Sequence, residues 1–172
     1  GALNEGMQHT SADYLAIFDA DFRPRPDFIK RLVPHLEGYP EVAAVQAAWS
    51  YQNGQENLLT LLQLMMLNIH FYFEHAGRFC RGLAFNFNGT AGIWRKSAIE
   101  ELGGWSTQSV CEDLLLSFKA QLCGKRIVFL ADYDCPSELP NNLSSFLIQQ
   151  RRWALGTGQV LRLLWKKILK EN

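Results

Sequence analysis

Short apolar runs alternate along this chain with longer stretches in which apolar residues recur at helical spacing. The run Tyr14–Phe18 is too short and too uniformly apolar for an amphipathic helix, so it predicts a buried strand. Further strands are predicted at 42–49 and 127–131. Helices are predicted over 27–36, 55–73, 112–122 and from 143 onward. Because strands alternate with helices, the pattern predicts an α/β fold with a mainly parallel sheet.

Turn and cap residues set the expected ends of these elements. Pro34 is expected to end or kink the helix at 27–36. Ser97 and Glu100 have the spacing of a capping box, which predicts a short helix that ends at Gly103-Gly104. Residues 77–92 are rich in Gly, Asn and Phe and predict a loop with short strands. A weak point is expected in the last helix at 156–158, where two glycines occur.

Composition and charge limit the possible partners. The 172 residues are 48% apolar and 20% charged, which is ordinary for a globular domain with a core. The net charge is zero, which argues against nucleic acid, yet residues 151–172 carry +5 and the first 150 carry −5. Four cysteines without a Cys-x-x-Cys pair indicate neither a zinc site nor a disulfide framework. The apolar stretch at 58–73 is too short and too polar to cross a bilayer and predicts a buried helix.

The strongest chemical signal is the pair Asp19 and Asp21, which directly follows the first predicted strand. Ligands of open α/β sheets bind at the carboxyl ends of the strands. Two neighbouring carboxylates repel each other unless a cation lies between them, and a hard divalent ion with oxygen ligands is the usual solution. The pattern therefore favours a metal site, with a solvated turn as the alternative.

Three further motifs could carry chemistry. Glu112 and Asp113 open a helix, where acids either cap the helix or, in a cleft, act as a general base on a sugar hydroxyl. In the segment 149–153, Arg152 offers a planar fork for phosphate and Trp153 a flat surface for a sugar ring, although an amphipathic helix with a core Trp gives the same pattern. The small-residue loop 86–92 could let backbone approach a ligand, or form a tight structural turn.

Together, these motifs resemble the processive family 2 glycosyltransferases, the group of cellulose synthase, the cellulose-synthase-like mannan and glucan synthases, hyaluronan synthase and chitin synthase. The order of motifs in this chain is Asp19-Ala20-Asp21, Phe87-Asn88-Gly89-Thr90, Cys111-Glu112-Asp113 and Gln149-Gln150-Arg151-Arg152-Trp153. The segments 88–95 and 103–105 look most similar to the glucomannan-synthase-like branch. Cys111 stands where the family usually has Thr.

The resemblance implies a GT-A fold, with the nucleotide-binding N-terminal half of that fold missing from this sequence. It implies a catalytic-domain part at 1–153, followed at 154–172 by a basic amphipathic interface helix that leads toward membrane helices. The full-length protein is then expected at the cytoplasmic face of a membrane. We expect this stretch by itself to be inactive as a transferase.

The resemblance also implies residue roles. Asp21, with Asp19, is expected to hold Mg²⁺ or Mn²⁺ at the donor diphosphate, and Asp113 is the expected general base. Substrate binding is assigned to Asp19, Asn88, Gly89, Thr90, Glu112, Gln149, Arg152 and Trp153.

The implied activity is inverting, metal-dependent transfer of a hexose to a growing β-linked polysaccharide. Glucose from UDP-glucose and mannose from GDP-mannose both remain open as donors. The first alternative is a non-catalytic chain that binds glycan or self-associates as a homo-oligomer. A metal-dependent phosphoryl-transfer enzyme is less favoured because the sequence has no P-loop.

The C-terminal segment 160–170 has its own pattern. Apolar residues occupy one predicted side, at Leu161, Leu164, Trp165 and Ile168, and a basic row occupies another, at Arg162, Lys166 and Lys170. One interpretation is a helix on an anionic membrane surface, which the resemblance favours. The other is a helix packed on the domain or on a second copy.

Overall fold

The structure is a computed structural model that describes residues 2–169. The strands are β1 (Tyr14–Ile17), β2 (Val42–Tyr51), β3 (Gly92–Arg95) and β4 (Arg126–Ser137). The helices are α1 (Ala2–Gln8), α2 (Phe28–Leu32), α3 (Pro34–Glu37), α4 (Leu58–Asn68), a π-helix (Ile69–His75), α5 (Ala76–Cys80), α6 (Lys96–Glu101), α7 (Glu112–Leu122) and α8 (Leu143–Ile168).

The four strands form one mixed sheet in the order β1-β3-β2-β4. β2 and β4 are parallel, whereas β3 is antiparallel to both β1 and β2. The α/β class is confirmed, but the expectation of a mainly parallel sheet is wrong. The reason is that the chain enters β3 at the carboxyl end of β1: Gly92 pairs with Ile17, the last residue of β1, and with Gln46 in the middle of β2. A strand that starts there must run against both neighbours.

Helix ends match the sequence signals in several places. α7 begins and ends at the predicted residues, and Gly103, Gly104 and Gly124 adopt positive φ after helix ends. Pro34 begins α3, so the predicted helix at 27–36 is interrupted at that residue.

The capping box at Ser97 is wrong. β3 leads directly into α6 through Arg95, whose side chain makes no cap hydrogen bond. A capping box forms instead at Asn57 and Thr60, where α4 begins.

α8 is one continuous helix of 26 residues, so the weak point expected at 156–158 is also wrong. Gly156 is buried, and a Cβ atom there would lie 2.7 Å from the Cys111 Cβ and 3.2 Å from its backbone nitrogen. The glycine lets α8 approach the start of α7 closely. Below this contact, Val160 and Leu164 pack against Leu115 of α7.

Two apolar layers cover the sheet. One contains Phe71, Phe87, Trp94 and Phe129 with side chains from the π-helix and α5–α7. The other contains Tyr133 with Phe28 and Leu32 of α2 and Leu36 of α3. The prediction of a buried helix at 58–73 is corrected, because this helical segment buries Thr60, Gln63 and Phe71 but exposes most of its large apolar side chains. Among residues 2–169, no helix has the length and apolar character needed to span a membrane.

Candidate active site

A cleft of about 1040 Å³ opens at the carboxyl ends of β1 and β2. Nine of the residues predicted to form a site line it: Asp19, Asp21, Asn88, Gly89, Glu112, Asp113, Gln149, Arg152 and Trp153. These residues come from the end of β1, the loop before β3, the start of α7 and the first half of α8. The tenth, Thr90, is fully buried and does not line the cleft.

Asp19 and Thr90 are joined by a hydrogen bond. The backbone nitrogen of Asp19 donates to Thr90 Oγ1 over 2.8 Å, which ties the end of β1 to the loop that leads into β3. Burial and the nearby Asp21 raise the pKa of the Asp19 carboxyl, while the Arg152 guanidinium opposes the rise. Asp19, Asp21 and Arg152 therefore share one electrostatic environment.

Asp21 is fixed by a residue that sequence reasoning missed. Ser137, the last residue of β4, donates its hydroxyl to Asp21 Oδ2 over 2.9 Å. The sequence signal for Ser137 is its position: it is a polar residue at the end of a long strand. Asp19 has a similar position just after β1 of the same sheet.

The two carboxylates fit a metal that is completed by a substrate. Within residues 2–169, no group of three or more His, Cys, Asp and Glu side chains is arranged to hold a metal ion. Mg²⁺ and related ions are commonly held by one or two carboxylates together with substrate phosphates. Asp19 and Asp21 supply that oxygen donor set, and their mutual repulsion is the condition that a cation relieves.

Asp113 sits against the glycine of the loop. A Cβ atom at Gly89 would lie 2.8 Å from Asp113 Oδ2, so a larger residue would collide with the carboxylate. Burial raises the pKa of Asp113 to about 6, with smaller upward contributions from Glu112 and Asp19, whereas hydrogen bonds from backbone amides at the start of α7 lower it. A carboxyl with this pKa is mostly ionised at neutral pH and can still accept a proton.

Cys111 links the motif on α7 to the one on α8. Its thiol lies 3.9 Å from the Arg152 carbonyl oxygen and packs on Gly156, and burial raises its pKa. Gln149, Arg152 and Trp153 reach the cleft from the same helix. The contact between Cys111 and Gly156 therefore sets the distance between the acids of α7 and the guanidinium of α8.

Trp49 and Tyr51, at the end of β2, also line the cleft. Among the described residues, neither Trp49 Nε1 nor Tyr51 Oη has a hydrogen-bond partner. Burial raises the pKa of the Tyr51 hydroxyl far above its usual value. The alternation of side chains at the end of β2 is the sequence signal that places Trp49 and Tyr51 on the cleft side of the strand.

The C-terminal helix divides its apolar residues between the domain and the exterior. Leu164 is buried and Ile168 is partly buried against α7, whereas Leu161 and Trp165 are exposed. The apolar residues predicted to share one side of 160–170 therefore separate into two groups. Leu164 and Ile168 pack on the domain, and Leu161 and Trp165 remain exposed. Lys170 lies outside the described residues.

Comparison with known proteins gives relatives over the whole chain. The chain is 44% identical over 175 residues to the probable glucomannan 4-beta-mannosyltransferase 10 of Arabidopsis thaliana, covering 100% of this chain and 32% of that protein. It is 42% identical to the glucomannan 4-beta-mannosyltransferase 1 of Oryza sativa subsp. japonica, covering 100% of this chain and 34% of that protein. The chain thus spans about a third of the length of these relatives.

Solved structures share the fold. A mannosyltransferase from Pyrobaculum calidifontis, in complex with GDP-Man and Mn²⁺, matches with a TM-score of 0.68 at 20% identity, covering 94% of this chain and 43% of that one. TarS 1–349 of S. aureus matches with a TM-score of 0.56 at 15% identity, covering 96% and 43%. These similarities confirm the expected GT-A fold.

A family model described as glycosyl transferase family group 2 matches residues 14–171. This match includes the motifs at 19–21, 87–90, 111–113 and 149–153, and the plant relatives named above are 42–44% identical to the chain. The chain belongs to glycosyl transferase family group 2.

Proposed function

We propose that this chain carries the metal side and the acceptor side of the catalytic centre of an inverting hexosyltransferase that extends a β-linked polysaccharide. The observation that carries the proposal is the shared cleft: Asp19 and Asp21 from the segment after β1, Asp113 from α7 and Arg152 from α8 all line it. Transfer from a diphosphate to a hydroxyl needs groups that hold the diphosphate and a base that accepts the hydroxyl proton. The cleft brings carboxylates and a guanidinium from three separate segments together for these roles.

Asp19, Asp21 and Arg152 hold the donor diphosphate in this proposal. The two carboxylates bind a divalent cation, Mg²⁺ or Mn²⁺, and Arg152 binds phosphate oxygens with its planar fork. When bound, the cation stabilises the negative charge that develops on the leaving nucleoside diphosphate. The hydrogen bond from Ser137 Oγ holds one oxygen of Asp21 in place.

Asp113 acts as the general base. It accepts the proton of the acceptor hydroxyl while that oxygen forms a bond to the anomeric carbon of the donor sugar. The bond from this carbon to the diphosphate breaks, and its electron pair leaves with the nucleoside diphosphate. A single direct displacement inverts the anomeric carbon, so an α-linked donor gives a β-linked product. The pKa of about 6 keeps Asp113 ionised at neutral pH.

The acceptor end lies between the loop and α8. Trp153 provides an apolar surface under the terminal sugar, with Gln149 on the same helix. Asn88, Gly89 and Glu112 line the same cleft, and Thr90 supports it through its hydrogen bond from the Asp19 backbone nitrogen.

Mannose is the favoured sugar. The relatives are named as glucomannan mannosyltransferases, and a structural neighbour is described in complex with GDP-Man and Mn²⁺. We therefore place GDP-mannose first as donor and keep UDP-glucose as the alternative. Mn²⁺ is placed first as the cation for the same reason, with Mg²⁺ as the alternative.

The C-terminal part of α8 faces a membrane surface in this proposal, at the cytoplasmic side. Leu161 and Trp165 are exposed apolar residues beside the cations Arg162 and Lys166, and Lys166 lies 5.6 Å from the Trp165 ring centroid. This combination binds the interface of an anionic bilayer. Sedimentation of the protein with vesicles of anionic lipid, but not of zwitterionic lipid, is the expected result.

A donor screen tests the proposed function. Membranes containing the full-length protein that carries this chain are incubated with GDP-mannose or UDP-glucose and Mn²⁺, and the product is analysed by linkage. A β-linked polymer that is absent for Asp113→Asn supports the proposal. Glycan binding without transfer by the full-length protein supports the non-catalytic alternative instead.

A further inference from the structure

A buried amide holds the loop 86–91 from the sheet side. Gln46 of β2 has no exposed surface. Its Oε1 accepts a hydrogen bond from the Asn88 backbone nitrogen over 3.0 Å. Its Nε2 donates to three backbone carbonyls, those of Ala47 at 2.8 Å, Thr90 at 3.1 Å and Ala91 at 3.2 Å. Both polar atoms of this side chain are therefore committed, and two of the three loop residues they reach are Asn88 and Thr90.

The loop needs such support because its backbone is strained. Gly89 has a φ of 82° and Ala91 a φ of 55°. A left-handed conformation at a residue with a Cβ costs free energy and persists only when its surroundings fix it. The Ala91 carbonyl accepts hydrogen bonds from Gln46 Nε2 and from the Ala47 backbone nitrogen, and the two bonds together hold this conformation.

His75 holds the loop from the helix side. It is the last residue of the π-helix and is 1% exposed, and π-helical turns are frequent at functional sites. Its Nε2 lies 3.0 Å from the Asn86 carbonyl oxygen and 3.3 Å from the side-chain amide of Asn88. Since a carbonyl can only accept, we assign the proton of the neutral ring to Nε2.

The surroundings of His75 keep the ring neutral. Rings of Phe71, Phe85 and Phe129 pack around it, and within residues 2–169 its Nδ1 has no hydrogen-bond partner. Burial and the neighbouring His70 lower its pKa to about 4, although Glu74 opposes this. The buried ring is therefore neutral at physiological pH, and its Nε2 faces the loop.

The loop in turn contacts both chemical sides of the cleft. Thr90 accepts from the Asp19 backbone, on the metal side, and Gly89 packs on the carboxylate of Asp113, on the base side. A shift of the loop therefore changes the separation between the donor site and the base.

We propose that Gln46 and His75 are positioning residues for sugar transfer, which grip the loop 86–91 from opposite sides and fix Asp113 relative to Asp19. This inference rests on the proposed function. Neither residue lines the cleft, so neither is expected to touch the substrate. A displacement of about 1 Å at a reacting centre can reduce the rate about a hundredfold.

The test compares His75→Leu, His75→Gln, Gln46→Leu and Val45→Ala in the full-length protein, with kcat, KM and thermal stability measured for each. The Nε2 of a glutamine at position 75 can replace the donor to Asn86, whereas leucine cannot. We expect His75→Leu and Gln46→Leu to lower kcat at least tenfold with little change in the donor KM. His75→Gln should recover transfer to within a few-fold of the unsubstituted protein.

The thermal stability of the variants distinguishes a role in positioning the loop from a general role in folding. Val45 is a buried neighbour of Gln46 on the other face of the sheet, so Val45→Ala controls for general loss of stability. His75→Leu removes the bond to the Asn86 carbonyl as well as the imidazole ring, so kcat of every variant is compared at a temperature well below its measured melting temperature. Wild-type kcat in His75→Leu and Gln46→Leu, or losses of kcat that only follow melting temperature, would overturn the proposal.

Hydrogen exchange gives a second readout that does not depend on transfer. Peptides covering 86–91 and 19–22 should exchange faster in Gln46→Leu and His75→Leu, but not in Val45→Ala. Unchanged exchange overturns the grip on the loop whatever the transfer rates are. Absence of transfer by the unsubstituted protein, with exchange altered as expected, would contradict the proposed function and leave the grip supported.

Discussion

Asp113 is a residue at which stability and catalysis oppose each other. Its pKa is about 6 in the folded chain, above the ordinary 3.8, so the folded state binds its proton more tightly than the unfolded state. The protonated carboxyl of Asp113 adds to the free energy of unfolding. This contribution is fully present below pH 3.8 and is lost as the pH rises through 6. We therefore expect Asp113→Asn to stabilise the protein above pH 6 by about 1–3 kcal/mol, measured by denaturant unfolding.

The same substitution should abolish the base. We expect transfer to fall by about 10²–10⁴-fold, and kcat/KM of the unsubstituted protein to rise with pH up to about 6. Asp132→Asn is the control, because Asp132 is exposed, pairs with Arg31 at 3.5 Å and does not line the cleft. Normal transfer by Asp113→Asn would disprove the assigned role.

Asp21 should control binding of the cation together with the diphosphate. We expect Asp21→Ala to abolish binding of GDP in the presence of Mn²⁺, measured by isothermal titration, because Asp19 alone leaves the cation with one protein carboxylate. Asp13→Ala is the matched control, since Asp13 precedes the same strand at its opposite end. Equal binding by the two variants would remove Asp21 from the metal site.

At the scale of elements, the packing of α8 on α7 depends on one glycine. A Cβ at position 156 would collide with the Cβ and backbone of Cys111, so the collision cannot be relieved by a side-chain rotation alone. We expect Gly156→Ala to destabilise the fold by about 1–3 kcal/mol, as overpacking does. Transfer should fall as well, because Arg152 moves with the helix.

Substitution of Gly158, on the same helix, should have the opposite effect on the free energy of unfolding. Among the described residues, no atom lies within 4 Å of a Cβ at that position, so Gly158→Ala should stabilise the helix by up to about 1 kcal/mol. Thermal and denaturant unfolding of the two variants measure the contrast. If both alanines stabilised the protein, α8 would not pack on Cys111 as closely as described.

At the scale of the whole molecule, exposed apolar surface is the dominant feature. One stripe of α4 and the π-helix exposes Leu62, Met66, Ile69 and Phe73. Apolar stripes of this kind drive association when nothing covers them. We expect residues 1–172 expressed alone to self-associate, measured by sedimentation velocity over a range of concentrations.

Charges placed in the stripe should reverse this association. Leu62→Lys with Met66→Lys should increase the fraction of monomer, whereas Gln8→Lys with Gln55→Lys, which adds the same charge at exposed polar positions, should not. A monomer at high concentration without any substitution would contradict the expectation.

The sequence by itself determined what local interactions control. The run at 14–18, the bounds of α7 and the glycines that end helices follow from neighbours along the chain, so they were predicted correctly. The four motifs also identified the family, because their order and spacing are carried by the chain itself. Local pattern could not identify β3, since four residues after a glycine-rich loop resemble a turn until two flanking strands pair with them.

Tertiary structure alone decided which residues meet. Thr90 was predicted to line the cleft, but it is buried and supports Asp19 through a hydrogen bond. Gly156 was predicted to weaken α8, but it allows a close contact with Cys111. Gln46 and His75 both form hydrogen bonds to the loop 86–91. These contacts join residues far apart in the chain, and their hydrogen bonds and collisions exist only once the sheet brings them together. The physical reason is that periodicity reports which side of an element is buried, but not which distant atoms it is buried against.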